Sequence, residues 1–354
     1  MVYVISDLHL GDGTPSDTFM AKDKALLALI DRINAEGATL VVAGDAIDFA
    51  QGWTFARILR AHGKVLRALS EMADRGRMIY IYGNHDHNLQ LFQYVLRFPV
   101  VAGVEVGDKV LIQHGYEYDW LIGPDLRQSE LNTVVHHLVE RWLGEWIRPP
   151  LDHHYNLTNR FSFWLIHKIV WMTRAWHTAR RLLGDTQAGV RSEQELTYWM
   201  RSQLGDPGDV CRPALRALAT GPHDVLICGH SHLPGVVTLD SGRRYANTGS
   251  WTFKASTYLR WDGASLSLKE WLGDREHDDR LYLPILNQEF DHITFDDWWS
   301  AQYMGLLRFR CGEELNERRP PWLDRAPASP TPLPSPDEVS LADDLPAPER
   351  SAGK

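Results

Sequence analysis

Seven side chains suited to binding divalent metal ions fall in five short motifs. The motifs are Asp7-Leu8-His9, Gly44-Asp45 with Asp48 three residues on, Gly83-Asn84-His85-Asp86, His114-Gly115 and Gly229-His230-Ser231-His232. Asp7, His9, Asp45, Asn84, His114, His230 and His232 offer carboxylate or amide oxygen and imidazole nitrogen, and no sulfur. That donor set suits two five- or six-coordinate divalent ions rather than a structural tetrahedral zinc. Manganese is the leading choice, with Fe, Zn, Co or Ni as alternatives. Two such ions bring about +4 against two carboxylates, and a shared hydroxide leaves the centre near +1, a charge that attracts phosphate. Two ions roughly 3.5–4 Å apart lower the pKa of a shared water and clamp the attacking and leaving oxygens of a displacement. Each motif alone is weak. A lone Asp-x-His is often a capped turn, and a histidine at a strand end is often satisfied by backbone.

The weight lies in where the motifs sit. Each follows an apolar run that reads as a buried strand: Val2–Ser6, Thr39–Ala43, Met78–Tyr82, Val110–Gln113 and Val225–Cys228. The polar groups therefore cluster at strand carboxyl ends, the edge where α/β sheets place their ligands. Gly44, Gly83 and Gly229 precede three of them and permit tight turns without Cβ crowding. Helical periodicity over about Lys22–Ala35 and Thr54–Arg75 separates the first three strands. Turn residues at Gly107-Asp108, Asp240-Ser241-Gly242 and Asp262-Gly263 predict hairpins later in the chain, with antiparallel strands around them. The expected class is mixed α/β, two sheets packed together with helices outside.

The 354 residues, 44% hydrophobic and 23% charged, suffice for one large globular domain. A net charge of -9 argues against a long basic groove and against a nucleic-acid partner. Cys211, Cys228 and Cys311 form no Cys-x-x-Cys pair, which fits a reducing compartment and no thiolate zinc. Met1 leads directly into the first strand without a basic or long apolar leader, so no signal peptide is expected. No apolar run reaches membrane-spanning length. Residues 125–205 carry no strand signal and read as a helical insertion within a domain of residues 1–320. Residues 321–354 read as a disordered Pro-rich tail; nine prolines fall in the last 35 residues.

The ordered motifs resemble the calcineurin-like metallophosphoesterase superfamily over about residues 1–250. The resemblance implies a four-layer α-β-β-α sandwich with a dinuclear centre. By motif position it implies Asp7, His9, Asp45 and His232 on one ion. Asp45 bridges to the second, which Asn84, His114 and His230 also hold. His85 then binds no metal but faces the scissile phosphate, as general acid or as stabiliser of developing charge, with Asp86 orienting it by a hydrogen bond. Asp48 has two readings of equal weight: a carboxylate accepting amides of its own turn, or a support for a metal ligand. Leu8, Leu10-Gly11 and the run Tyr245-Ala246-Asn247-Thr248-Gly249-Ser250-Trp251 are similar to the bacterial branch containing UDP-2,3-diacylglucosamine diphosphatases. That branch commonly has Arg where this chain has His85, and its compact members are shorter.

The expected activity is hydrolysis of a phosphate ester or pyrophosphate by a metal-bridging hydroxide, with His85 assisting. The substrate is a phosphate-containing small molecule or a lipid-linked nucleotide diphosphate such as UDP-2,3-diacylglucosamine. Alternatives on the same centre are a phosphodiesterase or nuclease and a phosphoprotein phosphatase; a non-catalytic scaffold ranks lower because no ligand position is replaced. Seven of the 14 tryptophans lie in residues 120–199. From Phe161 to Leu183 the chain has Lys168, Arg174, Arg180 and Arg181 and no acid. At 100° per residue, Phe161, Trp164, Leu165, Ile169, Trp171, Met172, Trp176, Leu182 and Leu183 share one broad face, with Lys168 intruding. Arg174, His177 and Arg181 lie opposite. Such a helix predicts peripheral contact with a membrane through residues 160–183, in a cytoplasmic protein at the inner membrane. Packing on the parent domain or on a second copy is the alternative.

Overall fold

The computed structural model describes residues 1–14, 17–19, 21–49, 55–119, 122, 157–185, 187–190, 193–194, 196–197, 200, 210–273, 275–289 and 291–299. Its first half alternates strand and helix: β1 (Val2–Ile5), α1 (Asp23–Ala35), β2 (Thr39–Ala43), α2 (Phe55–Asp74), β3 (Met78–Ile81) and β4 (Val100–Val101). Then come β5 (Gly103–Val106), β6 (Val110–Gln113), α3 (Leu157–Leu182), α4 (Cys211–Thr220) and β7 (Val225–Cys228). Two hairpin strands, β8 (Gly235–Thr238) and β9 (Arg244–Asn247), precede β10 (Thr257–Trp261) and β11 (Leu266–Glu270).

The strands form two sheets, in the orders β11-β10-β1-β2-β3-β4 and β5-β6-β7-β9-β8. Strands β1 to β4 run parallel, because α1 and α2 carry the chain back between them. The later strands depart from the antiparallel expectation. β6, β7 and β9 pair parallel with one another; only the hairpins and the β1–β10 pair are antiparallel. A local turn signal predicts a hairpin but not the register of strands brought together across α4.

Burial on both faces explains the continuous apolar runs. Val4, Val41, Ala43 and Ile81 of the first sheet meet Val110, Ile112, Val225, Ile227 and Ala246 of the second. The alternate residues Tyr3, Ile5, Leu40, Val42 and Tyr80 pack outward against Leu26, Leu29 and Ile33 of α1 and Ile58, Val65 and Leu69 of α2. On the far side, Leu226, Cys228 and Tyr245 meet Ala214 and Leu218 of α4 together with Tyr282, Phe295 and Trp298. Three apolar layers thus separate helix, sheet, sheet and helix, the expected four-layer sandwich.

Of the expected insertion 125–205, α3 and short pieces near it are among the described residues; the tail 321–354 lies outside them. α3 docks by its polar side. The Arg174 guanidinium donates to Glu193 and Asp296 and lies 5.4 Å from the Phe295 ring centre. His167 stacks on Trp299, and Val170 joins the apolar cluster around Trp298. Trp164, Trp171, Met172 and Trp176 point to solvent, at 53%, 66%, 63% and 64% exposure. No helix among the described residues is long and apolar enough to cross a membrane.

Candidate metal centre

The parallel ladder between β1 and β2 continues beyond the strands and carries the first two motifs with it. Asp7 N–H donates to Gly44 O, His9 N–H to Asp45 O and Leu10 N–H to Ala46 O, at 3.0, 2.9 and 2.9 Å. Asp7, His9, Asp45, His230 and His232 all have positive φ, five of the nine described non-glycine residues that do. Left-handed backbone is costly for side chains with a Cβ and concentrates where geometry is set by function. Close packing of the loops explains the glycines beside them. A Cβ on Gly44 would enter the His114 ring, and one on Gly83 would overlap the Asp45 carboxylate. Gly229 lies equally tight against Asp7 and Ser6. The expectation of uncrowded turns holds; at Gly83 and Gly229 the reason is space, not positive φ.

Three donor groups result. Asp7, His9 and His232 bring one ligand atom each within 4.8 Å of one another, as do Asp45, His114 and His230, and as do His9, Asp48 and His85. His9 Nε2 and His232 Nε2 lie 3.3 Å apart, and His232 Nε2 lies 3.2 Å from Asp7 Oδ1. Each carboxylate is divided between protein and centre. Asp7 Oδ2 accepts the Ser6 hydroxyl and the His230 N–H, while Oδ1, though buried, accepts no hydrogen bond. Asp45 Oδ1 accepts the His85 N–H at 2.8 Å, while Oδ2 lies 3.1 Å from His114 Nε2.

The partners of the imidazoles assign their tautomers. His114 Nδ1 donates to Ala43 O at 2.8 Å, and His9 Nδ1 to Asp48 Oδ2 at 3.2 Å. In each neutral ring Nε2 then carries a lone pair aimed at the centre. His114 Nε2 is buried and makes no hydrogen bond. Where these rings are neutral, lone pairs of imidazole and carboxylate converge on one point and favour a cation there, so the residues fit divalent metal. Electrostatics points the same way. Burial alone would raise the Asp45 carboxyl, but His114, His85 and His9 outweigh it and hold it well below the usual range. Burial opposes a charged His114, yet Asp45 and Asp7 raise it to about 10. A proton and a metal compete for that same Nε2 lone pair.

His85 belongs to the third group, its ring edge-on to His9 at 4.9 Å between centres. Burial works against its charged form, and Asp45 and Asp48 outweigh it, raising it to about 9. The carboxylate at its side chain is Asp48, 3.7 Å from Nδ1. Asp48 thus holds a candidate ligand with one oxygen and faces His85 with the other, as the supporting reading expects. Asp86 is elsewhere, correcting the expectation that it orients His85. Its oxygens accept the Ala46, Ile47 and Gly83 N–H groups and the Tyr80 hydroxyl, the last at 2.5 Å. The amides of two ligand loops outbid a neighbouring ring, so Asp86 ties those loops together. Asn84 is buried at the end of β3. One contributor escaped the motifs: Asp119, buried, with Oδ2 3.0 Å from His230 Nε2. Its only signal was its place five residues beyond His114, in a stretch without a strand or helix pattern.

The sequence matches the calcineurin-like phosphoesterase family over residues 1–234. The chain belongs to that family. The phosphoesterase is similar in structure to a dimetal phosphatase from Danio rerio, at 15% identity and a TM-score of 0.35, covering 76% of this chain and 95% of that one. It is also similar to a conserved uncharacterised protein of phosphoesterase type from Streptococcus pneumoniae, at 11% identity and a TM-score of 0.28, covering 76% and 86%. A single mutant of Vps29 from Entamoeba histolytica gives 14% identity and a TM-score of 0.28, covering 76% and 90%. No curated protein matches the chain significantly. Family membership makes the phosphoesterase a metal-dependent hydrolase of phosphate esters, acting on a phosphate-containing small molecule. Its match ends before β9 and β10, yet the loop between them braces the first motif: Trp251 N–H donates to Asp7 O at 3.0 Å.

Proposed function

We propose that this phosphoesterase hydrolyses a lipid-linked pyrophosphate of the UDP-2,3-diacylglucosamine type at the cytoplasmic surface of a membrane. The observation that supports this most is α3. Its tryptophan-bearing face is turned to solvent, and the helix carries basic side chains and no acid over Leu157–Leu182. Interfacial helices combine these features. Asp7, His9, Asp45 and His232 would hold one ion, and Asp45, Asn84, His114 and His230 the other, with manganese the pair suited to these oxygen and nitrogen donors. Such ions, when bound, supply an activated water and neutralise phosphoryl oxygens. His85, charged and held beside Asp48, donates a proton to the departing oxygen or stabilises its charge.

The test is hydrolysis by protein reconstituted with Mn²⁺ or with Zn²⁺. The substrates are a UDP-linked diacyl pyrophosphate, p-nitrophenyl phosphate, its bis-ester and a phosphopeptide. The expected result is a kcat/KM for the lipid pyrophosphate well above the others, highest with Mn²⁺. Preference for the bis-ester or for the phosphopeptide would replace this reading with a phosphodiesterase or a protein phosphatase.

A further inference from the structure

Asp119 lies outside all five motifs, yet its carboxylate is 2% exposed and ends at the metal centre. The chain reaches it by a tight route. His114 ends β6, Gly115 turns at φ 117, and Tyr116–Tyr118 form one 3-10 turn that closes with Asp119 N–H on Tyr116 O at 3.0 Å. A Cβ on Gly115 would press on Cys228, on Gly229 O and on the His230 Cβ at 3.2 to 3.4 Å, so this turn rests on the His230 loop. From there Asp119 Oδ2 lies 3.0 Å from His230 Nε2, and Oδ1 accepts the Ile122 N–H at 3.0 Å. His230 is also held at its backbone, where its N–H donates to Asp7 Oδ2.

An ionised carboxylate only accepts, so Nε2 of His230 carries the hydrogen and Nδ1 of the neutral ring keeps the lone pair. We propose that Asp119 is a positioning residue: it fixes His230 in the Nε2–H tautomer and so offers Nδ1 to the ion shared with Asp45 and His114. The inference rests on the reading of His230 as a ligand of that ion. His9 and His114 are arranged the opposite way, each holding its Nδ1–H on a protein oxygen and presenting Nε2. The carboxylate does a second job with Oδ1, closing the chain where it departs toward the insertion. One side chain therefore joins the root of the insertion to the second ion's site.

Removing a hydrogen-bonding support of a metal-bound histidine commonly costs 10–100-fold in metal affinity. The experiment is calorimetric titration of Mn²⁺ into wild type, Asp119→Ala, Asp119→Asn and His230→Ala, with ¹⁵N-histidine spectra to read the His230 tautomer. Asp119→Asn keeps the shape and an acceptor for Ile122 should Asp119→Ala fail to fold. The expected result is a 10–100-fold loss at one of two sites in both Asp119 variants, the other site unchanged, with the Nε2–H tautomer of His230 no longer fixed. Two sites of wild-type affinity, or equal loss at both, would overturn the inference. If His230→Ala itself keeps both sites, the ligand reading fails, independently of Asp119.

Discussion

Asp45 belongs to the donor group of His114 and His230, and it does so as an anion. Its carboxyl, held ionised by three imidazoles against the cost of burial, has one oxygen on the His85 amide and the other toward His114. Asp45→Asn removes the charge while keeping the shape. The expected outcome is loss of bound metal by elemental analysis and no measurable hydrolysis, and His230→Ala should act alike. His85→Ala should differ: both ions stay, and turnover falls on the order of 10²–10⁴, the usual range for a lost acid or base. Loss of metal in His85→Ala would make His85 a ligand. At this scale the sequence was informative because metal chemistry admits few residue types. It named Asp86 as the carboxylate facing His85, where the structure has Asp48. Asp86 is adjacent in the chain and Asp48 is not, but side-chain direction follows from turn geometry and from the amides that compete for each oxygen.

Helices and strands act on the centre through the loops they launch. Because Gly83 leaves room for the Asp45 carboxylate, Gly83→Ala should displace it, cutting turnover by on the order of 10²-fold with the fold intact by circular dichroism. A second case lies in α2, whose periodicity was legible but whose kink at His62 was not. There the ring is buried, Nε2 2.8 Å from Asp17 and Nδ1 2.9 Å from Asp23, joining α2 to the loop after β1 and to the start of α1. A polar residue on the buried face of an apolar pattern looks like an error until its partners, some 40 residues away, are known. Burial disfavours the charged ring, and the two carboxylates overcome that, raising His62 to about 9. Since its unfolded value is near 6.5, the folded state binds the extra proton between these limits. The contribution is complete below about pH 6.5, declines above it and is gone above about 9. Neighbouring Lys22 shifts the other way: burial lowers it to about 8, so its share of stability rises with pH above that point. The comparison of wild type with His62→Gln isolates His62. The gap in thermal midpoint should be widest at pH 6 and close by pH 9.5; a gap independent of pH would show that the ring is neutral in the folded protein.

Across the whole molecule, four layers bring the carboxyl ends of β1, β2, β3, β6 and β7 to one edge, and that much followed from motif order and strand pattern. The orientation of α3 did not. Its periodicity separates an apolar face from Arg174, His177 and Arg181, and the usual assignment buries the apolar face. Here Arg174 reaches acids far along the chain, Glu193 and Asp296, and those contacts turn the tryptophans outward. Exposed Trp164, Ile169, Trp171, Met172 and Trp176 make an apolar strip beside basic charge, costly in water and favourable at an anionic lipid surface, where indole N–H groups meet headgroups. Electrostatic and apolar contributions predict separate signatures. Wild type should sediment with vesicles containing anionic lipid and less so with neutral ones, and added salt should release part of it. Trp164→Glu combined with Trp171→Glu should stay in the supernatant while hydrolysing p-nitrophenyl phosphate at the wild-type rate, because neither side chain touches the metal centre. Arg174→Ala tests the docking: without its pairs to Glu193 and Asp296, α3 should become more accessible to protease while bound metal stays unchanged. Wild type that ignores anionic vesicles at low salt would end the membrane reading and leave the strip to a second copy of the chain, which sedimentation velocity would reveal as a dimer lost in the double Trp variant.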